Sequence, residues 1–404
     1  MKMFFDSAIS RVCWSLMLAV GLIATSSCAK PAETEQTKMD QPAAAPLDAD
    51  QAATASGTAP EAKSSQPAPS REELAKLAEA ATTGSGIARY TAIDDLGERA
   101  AESDMIVPDL IENLDDSDPQ VVWRSVRALG DYGEEAVAAA SNLRELLSKG
   151  DPILQYHAAV TLGKIGDRSE ATVDALVEAV GSSDGRVSRA AIDAMKTLKP
   201  GPQKTVPALK KALQSKDRMV AVHALEAIVE VGAPAVPLIN EMLKDPATMY
   251  LAVTAAEEIG PGAAGTVPQL VELLSTTKHS HLQIQLLLAL GRIGPASKSA
   301  VPQIVDLLEH SQDSTVPVAA AFALGSIGGT EADAPLRAAV AKDNQFLSMV
   351  AAWSLAKLHP GDAELKQQAI DKLNAGVKSG DPARQAAAEK GLKLLELPAA
   401  APVQ

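Results

Sequence analysis

The chain has 404 residues, with 51 acidic against 37 basic side chains and a formal net charge of −14. That balance excludes a general affinity for nucleic acid, which needs concentrated Lys and Arg, and it favours solubility and basic partners. Aromatics make up 3% of residues, and the two cysteines, Cys13 and Cys28, both stand at the start. Nothing downstream can therefore form a disulfide or a thiolate metal site.

Lys2 and Arg11 precede an apolar run, Val12 to Ala24, that is too short for a stable membrane span. Small residues follow it, and the whole reads as an export signal to be excluded from the fold. The segment Leu22-Ile23-Ala24-Thr25-Ser26-Ser27-Cys28 resembles a bacterial lipoprotein signal, although Thr25 stands where that family has Leu. The resemblance implies lipidation of Cys28 after removal of the preceding residues; plain cleavage near Ser26 is the alternative. Acyl chains, at about 0.8 kcal/mol per buried methylene, would then hold the protein on a membrane without a spanning helix. The expected location is the cell envelope, on its periplasmic face, with the lipid as the sole membrane contact.

Residues 29–70 are Ala, Pro, Thr, Gln and Ser with scattered charges. They cannot bury enough surface to offset their ordering entropy, so a disordered tether with a root-mean-square span of about 35 Å is expected. From Arg71 the pattern changes to helical spacing, and it repeats. Aligning the second helix of each unit on one apolar anchor gives Leu96, Leu129, Leu162, Met195, Ile228, Ala256, Leu290, Leu324, Leu355 and Leu392. The first four intervals are all 33 residues. Four positions after the anchor, Gly133, Gly166, Gly232, Gly260, Gly294 and Gly328 are read as helix ends. First helices are expected to open on Val107-Pro108, Val206-Pro207, Val236-Pro237, Val267-Pro268, Val301-Pro302 and Ala334-Pro335, where proline fits the first turn. The turn within each pair supplies an acid, Asp118, Asp151, Asp184, Asp217, Asp245, Asp313 or Asp381, suited to capping the second helix.

One helix pair cannot bury its apolar stripe alone, so neighbours must stack. The succession of Val-Pro, Asp-Pro and Ala-Leu-Gly-x-Ile-Gly resembles HEAT-like repeats of the short type found in bilin lyases, over about four fifths of the chain. The expected fold is all-α, a right-handed α-α superhelix of about ten helix pairs over residues 71–396, with a disordered tail at 397–404. Many such repeats carry Arg seven positions before the anchor, where this chain has Val122, Gln155, Ser188, Ala221, Met249, Gln283, Pro317 and Ser348. A ladder of buried Asp–Arg pairs is therefore not expected.

In such a superhelix the second helices line the concave side. Positions two and six before the anchor point towards that groove or an adjacent repeat. There Tyr90, Trp123 and Tyr156 form an aromatic ladder with Arg127 and Arg189 close by, and Tyr250 follows further along. Ile284, Leu288, Val318, Phe322, Met349 and Trp353 occupy the same columns later. Both groups admit two readings: anchors for a bound peptide or partner helix, or filling between repeats.

The chemistry of catalysis is missing from the sequence. His157, His223, His279, His281, His310 and His359 have no converging ligand spacing with carboxylates. Ser85 between glycines lacks a nucleophile elbow, and Gly291-Arg292-Ile293-Gly294 is a helix end rather than a phosphate loop. Glu134-Glu135 and Glu257-Glu258 read as solubilising charges. No catalytic residue, cofactor, metal or small-molecule substrate is expected. The expected function is an exported, lipid-anchored scaffold that holds an envelope protein or peptide along its concave face. The alternative, an accessory subunit or enzyme of the bilin-lyase type, is opposed by the export signal, because chromophore attachment belongs inside the cell.

Overall fold

In the computed structural model of the protein, residues 70–98 and 103–396 are described, and among them every regular element is a helix. Cys28, residues 29–69 of the expected tether and residues 397–404 lie outside the described residues. Among the described residues twenty α-helices form ten consecutive pairs. The first helices are α1 (Arg71–Thr83), α3 (Ser103–Glu112), α5 (Ala140–Lys149), α7 (Glu170–Ala179) and α9 (Pro202–Ala212), then α11 (Val236–Met242), α13 (Val267–Thr276), α15 (Val301–His310), α17 (Asp333–Val340) and α19 (Ala363–Val377). The second helices are α2 (Gly86–Glu98), α4 (Pro119–Tyr132), α6 (Pro152–Ile165), α8 (Gly185–Leu198) and α10 (Arg218–Val231), then α12 (Met249–Ile259), α14 (Ser280–Ile293), α16 (Val316–Ile327), α18 (Gln345–Leu358) and α20 (Pro382–Glu396).

Nine of the ten anchors are buried, and Leu392 on α20 is half-buried, with no further pair over it among the described residues. Each buried Leu contributes about 2 kcal/mol, and the anchors join one continuous apolar cluster between the two layers of helices. The residues four before the anchors, Ala92, Ser125, Ala158, Ala191, Ala224, Ala252, Leu286, Ala320, Ala351 and Ala388, are buried with them. Neighbouring second helices touch far more extensively than neighbouring first helices do. Two rows of unequal spacing must curve toward the tighter one, which puts the second helices on the concave side.

Close spacing on that side comes from small residues on either side of the anchor. A Cβ added to Gly163, one position after Leu162, would lie 3.0 Å from the Ala194 Cα of the next second helix. The same contact joins Gly97 to Ala128 and Gly291 to Ala323. The Ala-Leu-Gly triplet is thus a docking surface between helices: its Ala meets the Gly of the preceding unit. Where the slot after the anchor holds Lys196 and Val229 instead, the second helices are less intimately packed, and α10 against α12 is the loosest interior junction.

Caps set the ends of the elements. Asp118, Asp151, Asp184 and Asp217 accept backbone N–H groups at the starts of α4, α6, α8 and α10. Six glycines four positions after the anchors adopt positive φ, and in the fourth unit Lys199 takes that conformation itself, at φ 51°. Two expectations about the first helices need correction. Pro108 and Pro207 lie inside α3 and α9. The segments before them wind into α-helix, whereas in later units a 3-10 turn such as Gly260–Thr266 precedes the Val-Pro pair.

A third correction concerns Glu257. It is 7% exposed, not a solvated end charge. It occupies the slot just after the anchor of α12, which faces the next second helix, while Glu134 and Glu135 are exposed.

In four units the residue seven before the anchor performs one task with different side chains. Arg89 Nε donates to the Ala81 carbonyl at 2.9 Å, Ser188 Oγ to that of Val180 at 2.6 Å, Gln283 Nε2 to that of Thr277 at 3.1 Å and Ser348 Oγ to that of Val340 at 2.5 Å. Each satisfies a carbonyl that the end of a first helix leaves without an intrahelical partner. Arg89 also pairs with Asp116 at 2.8 Å, so an Asp–Arg pair forms in the one unit that keeps Arg at this position.

Candidate functional site

The helical period places positions six and two before the anchor on the concave surface of α2, α4, α6 and α8. The side chains six before the anchor on α2, α4 and α6 form a single stack, because the rungs expected from the sequence are joined by residues at the position five before the anchor. The Arg124 guanidinium lies 5.2 Å from the centre of the Tyr90 ring and 5.2 Å from that of Trp123. His157 meets Trp123 edge-on at 5.5 Å and Tyr156 edge-on at 4.9 Å. The order is therefore Tyr90, Arg124, Trp123, His157, Tyr156. The sequence reading missed Arg124 and His157, since neither recurs at its position in the way that a column search detects.

Polar contacts fix the stack from below. The Tyr90 hydroxyl donates to Asp118 Oδ2 at 2.5 Å while the other oxygen of Asp118 caps α4. This bond, then burial, raises the Tyr90 pKa, and it lowers that of Asp118. Asp94 on α2 bonds Arg124 and reaches Arg127 at 3.5 Å, while Arg127 lies 5.7 Å from the Trp123 ring centre. Burial, and secondarily the Arg127 charge, push the His157 pKa down, so the ring between Trp123 and Tyr156 is neutral near pH 7.

Beyond the stack, an open cleft of about 590 Å³ runs between α6 and α8, bordered by Tyr156, Val160, Lys164, Arg186, Arg189 and Asp193. Tyr156 is 37% exposed at its edge. The cations here are matched: Lys164 with Asp131 at 3.1 Å, Arg186 with Asp184 at 2.8 Å, and Arg189 with Asp217 at 2.8 Å. Such a surface presents flat rings and fixed ion pairs. It is suited to gripping a chain by stacking and hydrogen bonding.

The structure thus brings Tyr90, Trp123, Arg127, Tyr156 and Arg189 onto one stretch of the concave face. Tyr250 stands apart on α12, 41% exposed and stacked 6.1 Å from His281. The later apolar group is interior: Ile284, Leu288, Val318, Met349 and Trp353 are buried and Phe322 is half-buried. Tighter spacing of α14, α16 and α18, with α20 against them, encloses these side chains. Among the described residues no group of three or more His, Cys, Asp and Glu is placed to hold a metal ion. No helix among them is long and apolar enough to cross a membrane.

The model of the family described as HEAT repeats matches residues 74–147, 137–196, 173–260 and 301–393, more than half the chain. No curated protein sequence matches it. Similar solved structures include the karyopherin Kap121p bound to the extreme C-terminus of the protein phosphatase Cdc14p, with TM-score 0.54, 12% identity and coverage of 83% of this chain and 44% of that one. Kap121p bound to Nup53p gives 0.54, 14% identity and coverage of 81% and 42%. Importin beta gives 0.56, 14% identity and coverage of 80% and 54%. The chain spans about half the length of these solved structures, and at such identity the likeness concerns the fold alone.

Proposed function

The chain belongs to the HEAT-repeat family, and from that premise we propose that it is an exported, lipid-anchored scaffold that holds an envelope protein or peptide along its concave face and catalyses no reaction. The observation that carries this reading is the Tyr90–Arg124–Trp123–His157–Tyr156 stack beside the open cleft of α6 and α8. Aromatic rings held rigidly on a helical surface lose little entropy on binding and dominate the energetics of many interfaces. Kap121p, a similar solenoid, is described bound to a protein C-terminus and to Nup53p, which supports the same class of partner here.

Export and anchoring rest on the resemblance of Leu22–Cys28 to a lipoprotein signal, and the tether of residues 29–70 would lift the solenoid off the membrane. A pull-down from envelope extracts tests the groove. The wild-type chain should recover a partner that a Trp123→Ala/Tyr156→Ala variant loses, and equal recovery by both would remove the groove from the reading. Incorporation of a clickable fatty acid tests the anchor. Labelling should vanish in Cys28→Ser, and undiminished label in that variant would exclude lipidation at Cys28.

A further inference from the structure

The opposite end of the concave face carries a feature that the aromatic stack does not explain. Two positions after the anchors stand Arg292 on α14, Ser326 on α16 and Lys357 on α18, three side chains on adjacent helices. Lys357 Nζ is 3.5 Å from Ser326 Oγ and 5.2 Å from the centre of the Trp353 ring. Trp353 in turn stacks on Phe322, with centroids 5.7 Å apart and planes within 11°. Lys390 on α20 adds a further cation. Burial, then the Arg292 charge, depress the ammonium pKa values of both Lys357 and Lys390. Both ammonium groups therefore sit in the field of the same guanidinium.

Nearer the aromatic stack the cations of the concave face are paired. Arg124, Arg127, Lys164, Arg189 and Lys196 each have a carboxylate partner. Among the described residues Arg292 and Lys357 have none within ion-pair distance. Arg292 and Lys357 thus differ from the paired cations at the other end of the concave face. A second observation lies beneath them. Trp353 is 6% exposed, and its indole N–H makes no hydrogen bond. A buried donor of that kind costs about 1–3 kcal/mol unless an acceptor is supplied. Trp353 lines, with Leu288, Val318, Phe322, Met349 and Leu394, an apolar cavity of about 40 Å³.

We propose that this end of the concave face binds an acidic peptide segment of a partner protein, a carboxylate bridging Arg292 and Lys357 while an adjacent apolar side chain enters the cavity beside Trp353. The proposal rests on the reading of the concave face as a protein-holding surface, and adds the chemistry of what is held. Charge selects the occupant: among the described residues Arg292 and Lys357 have no carboxylate within ion-pair distance, and a bound carboxylate would offset their mutual repulsion. The cavity beside Trp353 is small and apolar, which suits part of one side chain better than an acyl chain. Three cations on a strongly acidic protein are also too few to hold a nucleic-acid backbone.

Fluorescence anisotropy with the full chain tests it. The probes are a labelled Gly/Ser peptide with a Glu-Glu-Leu-Glu centre, the same peptide with Gln for Glu, and phosphatidylglycerol vesicles. The Glu peptide should bind and shift the Trp353 indole N–H resonance. Arg292→Gln/Lys357→Gln should weaken it at least about tenfold with an unchanged circular dichroism spectrum. Trp123→Ala/Tyr156→Ala should bind it as the wild type does. Equal binding of the Gln peptide, or equal affinity in Arg292→Gln/Lys357→Gln, overturns the proposal, as does binding of vesicles but not peptide through these two residues. If the Glu peptide fails while the envelope pull-down still depends on Trp123 and Tyr156, the acidic-segment assignment falls and the scaffold reading stands.

Discussion

Lys199 stands where six other units place a glycine of positive φ. A side chain in the left-handed region costs about 1 kcal/mol through the approach of Cβ to the backbone, and the lysine offsets none of that with an ion pair among the described residues. Lys199→Gly should therefore raise the stability measured by urea unfolding by about 1 kcal/mol, whereas Lys199→Ala should bring no such gain. His157 makes a prediction about pH. Its folded pKa lies below the ordinary value because burial, and then Arg127, disfavour the charged ring. Above about pH 6.5 both folded and unfolded chains hold it neutral, and nothing is lost. As pH falls below that, the unfolded chain takes up the proton first, so the fold loses stability until the lower folded pKa is passed. The melting temperature of the wild type should drop between pH 7 and pH 5 by more than that of His157→Gln.

At the scale of the helix, the slot one position after the anchor decides how closely units approach. A side chain on Gly163 has no room, because its Cβ would lie 3.0 Å from the backbone of α8. Gly163→Leu should cost about 2–3 kcal/mol by prying α6 from α8, while Lys196→Leu, in the same slot of the next unit, should cost under about 0.5 kcal/mol. Much of this level was legible in the sequence. The anchors, the Asp caps and the terminal glycines are signals of single positions with one physical meaning each, and they locate the helix pairs. The task of the position seven before the anchor was not legible, since Arg89, Ser188, Gln283 and Ser348 share a hydrogen bond but no chemistry of side chain. Glu257 misled for a related reason: a charge near a helix end is usually solvated, and only the register against α14 shows that this one turns inward. The aromatic ladder was visible as a column. The arginine and histidine between its rungs depend on distances across three helices, which no single period encodes.

At the scale of the molecule, the array is not uniform. The pair α11 and α12 is short, with helices of 7 and 11 residues, and the anchor interval there shrinks from 33 to 28. Val229 fills the slot that glycine occupies in the tighter junctions, and α10 meets α12 loosely. In a linear array stability is approximately a sum of units and nearest-neighbour junctions. The amides of α10, α11 and α12 should accordingly exchange hydrogen through an opening of lower free energy than those of α6, α8, α14 and α16. Uniform protection along the array would show that the junction is as strong as its neighbours.

A beam that is stiff at both ends and slack at one joint bends at the joint. The stack on α2–α6 and the cationic ledge on α14–α18 lie on opposite sides of the α10–α12 junction. Flexing there alters the gap between them while leaving each intact, as with the jaws of forceps. A partner long enough to touch both would be clamped by setting that gap, and one that reaches a single jaw would forgo the gain in avidity from the second.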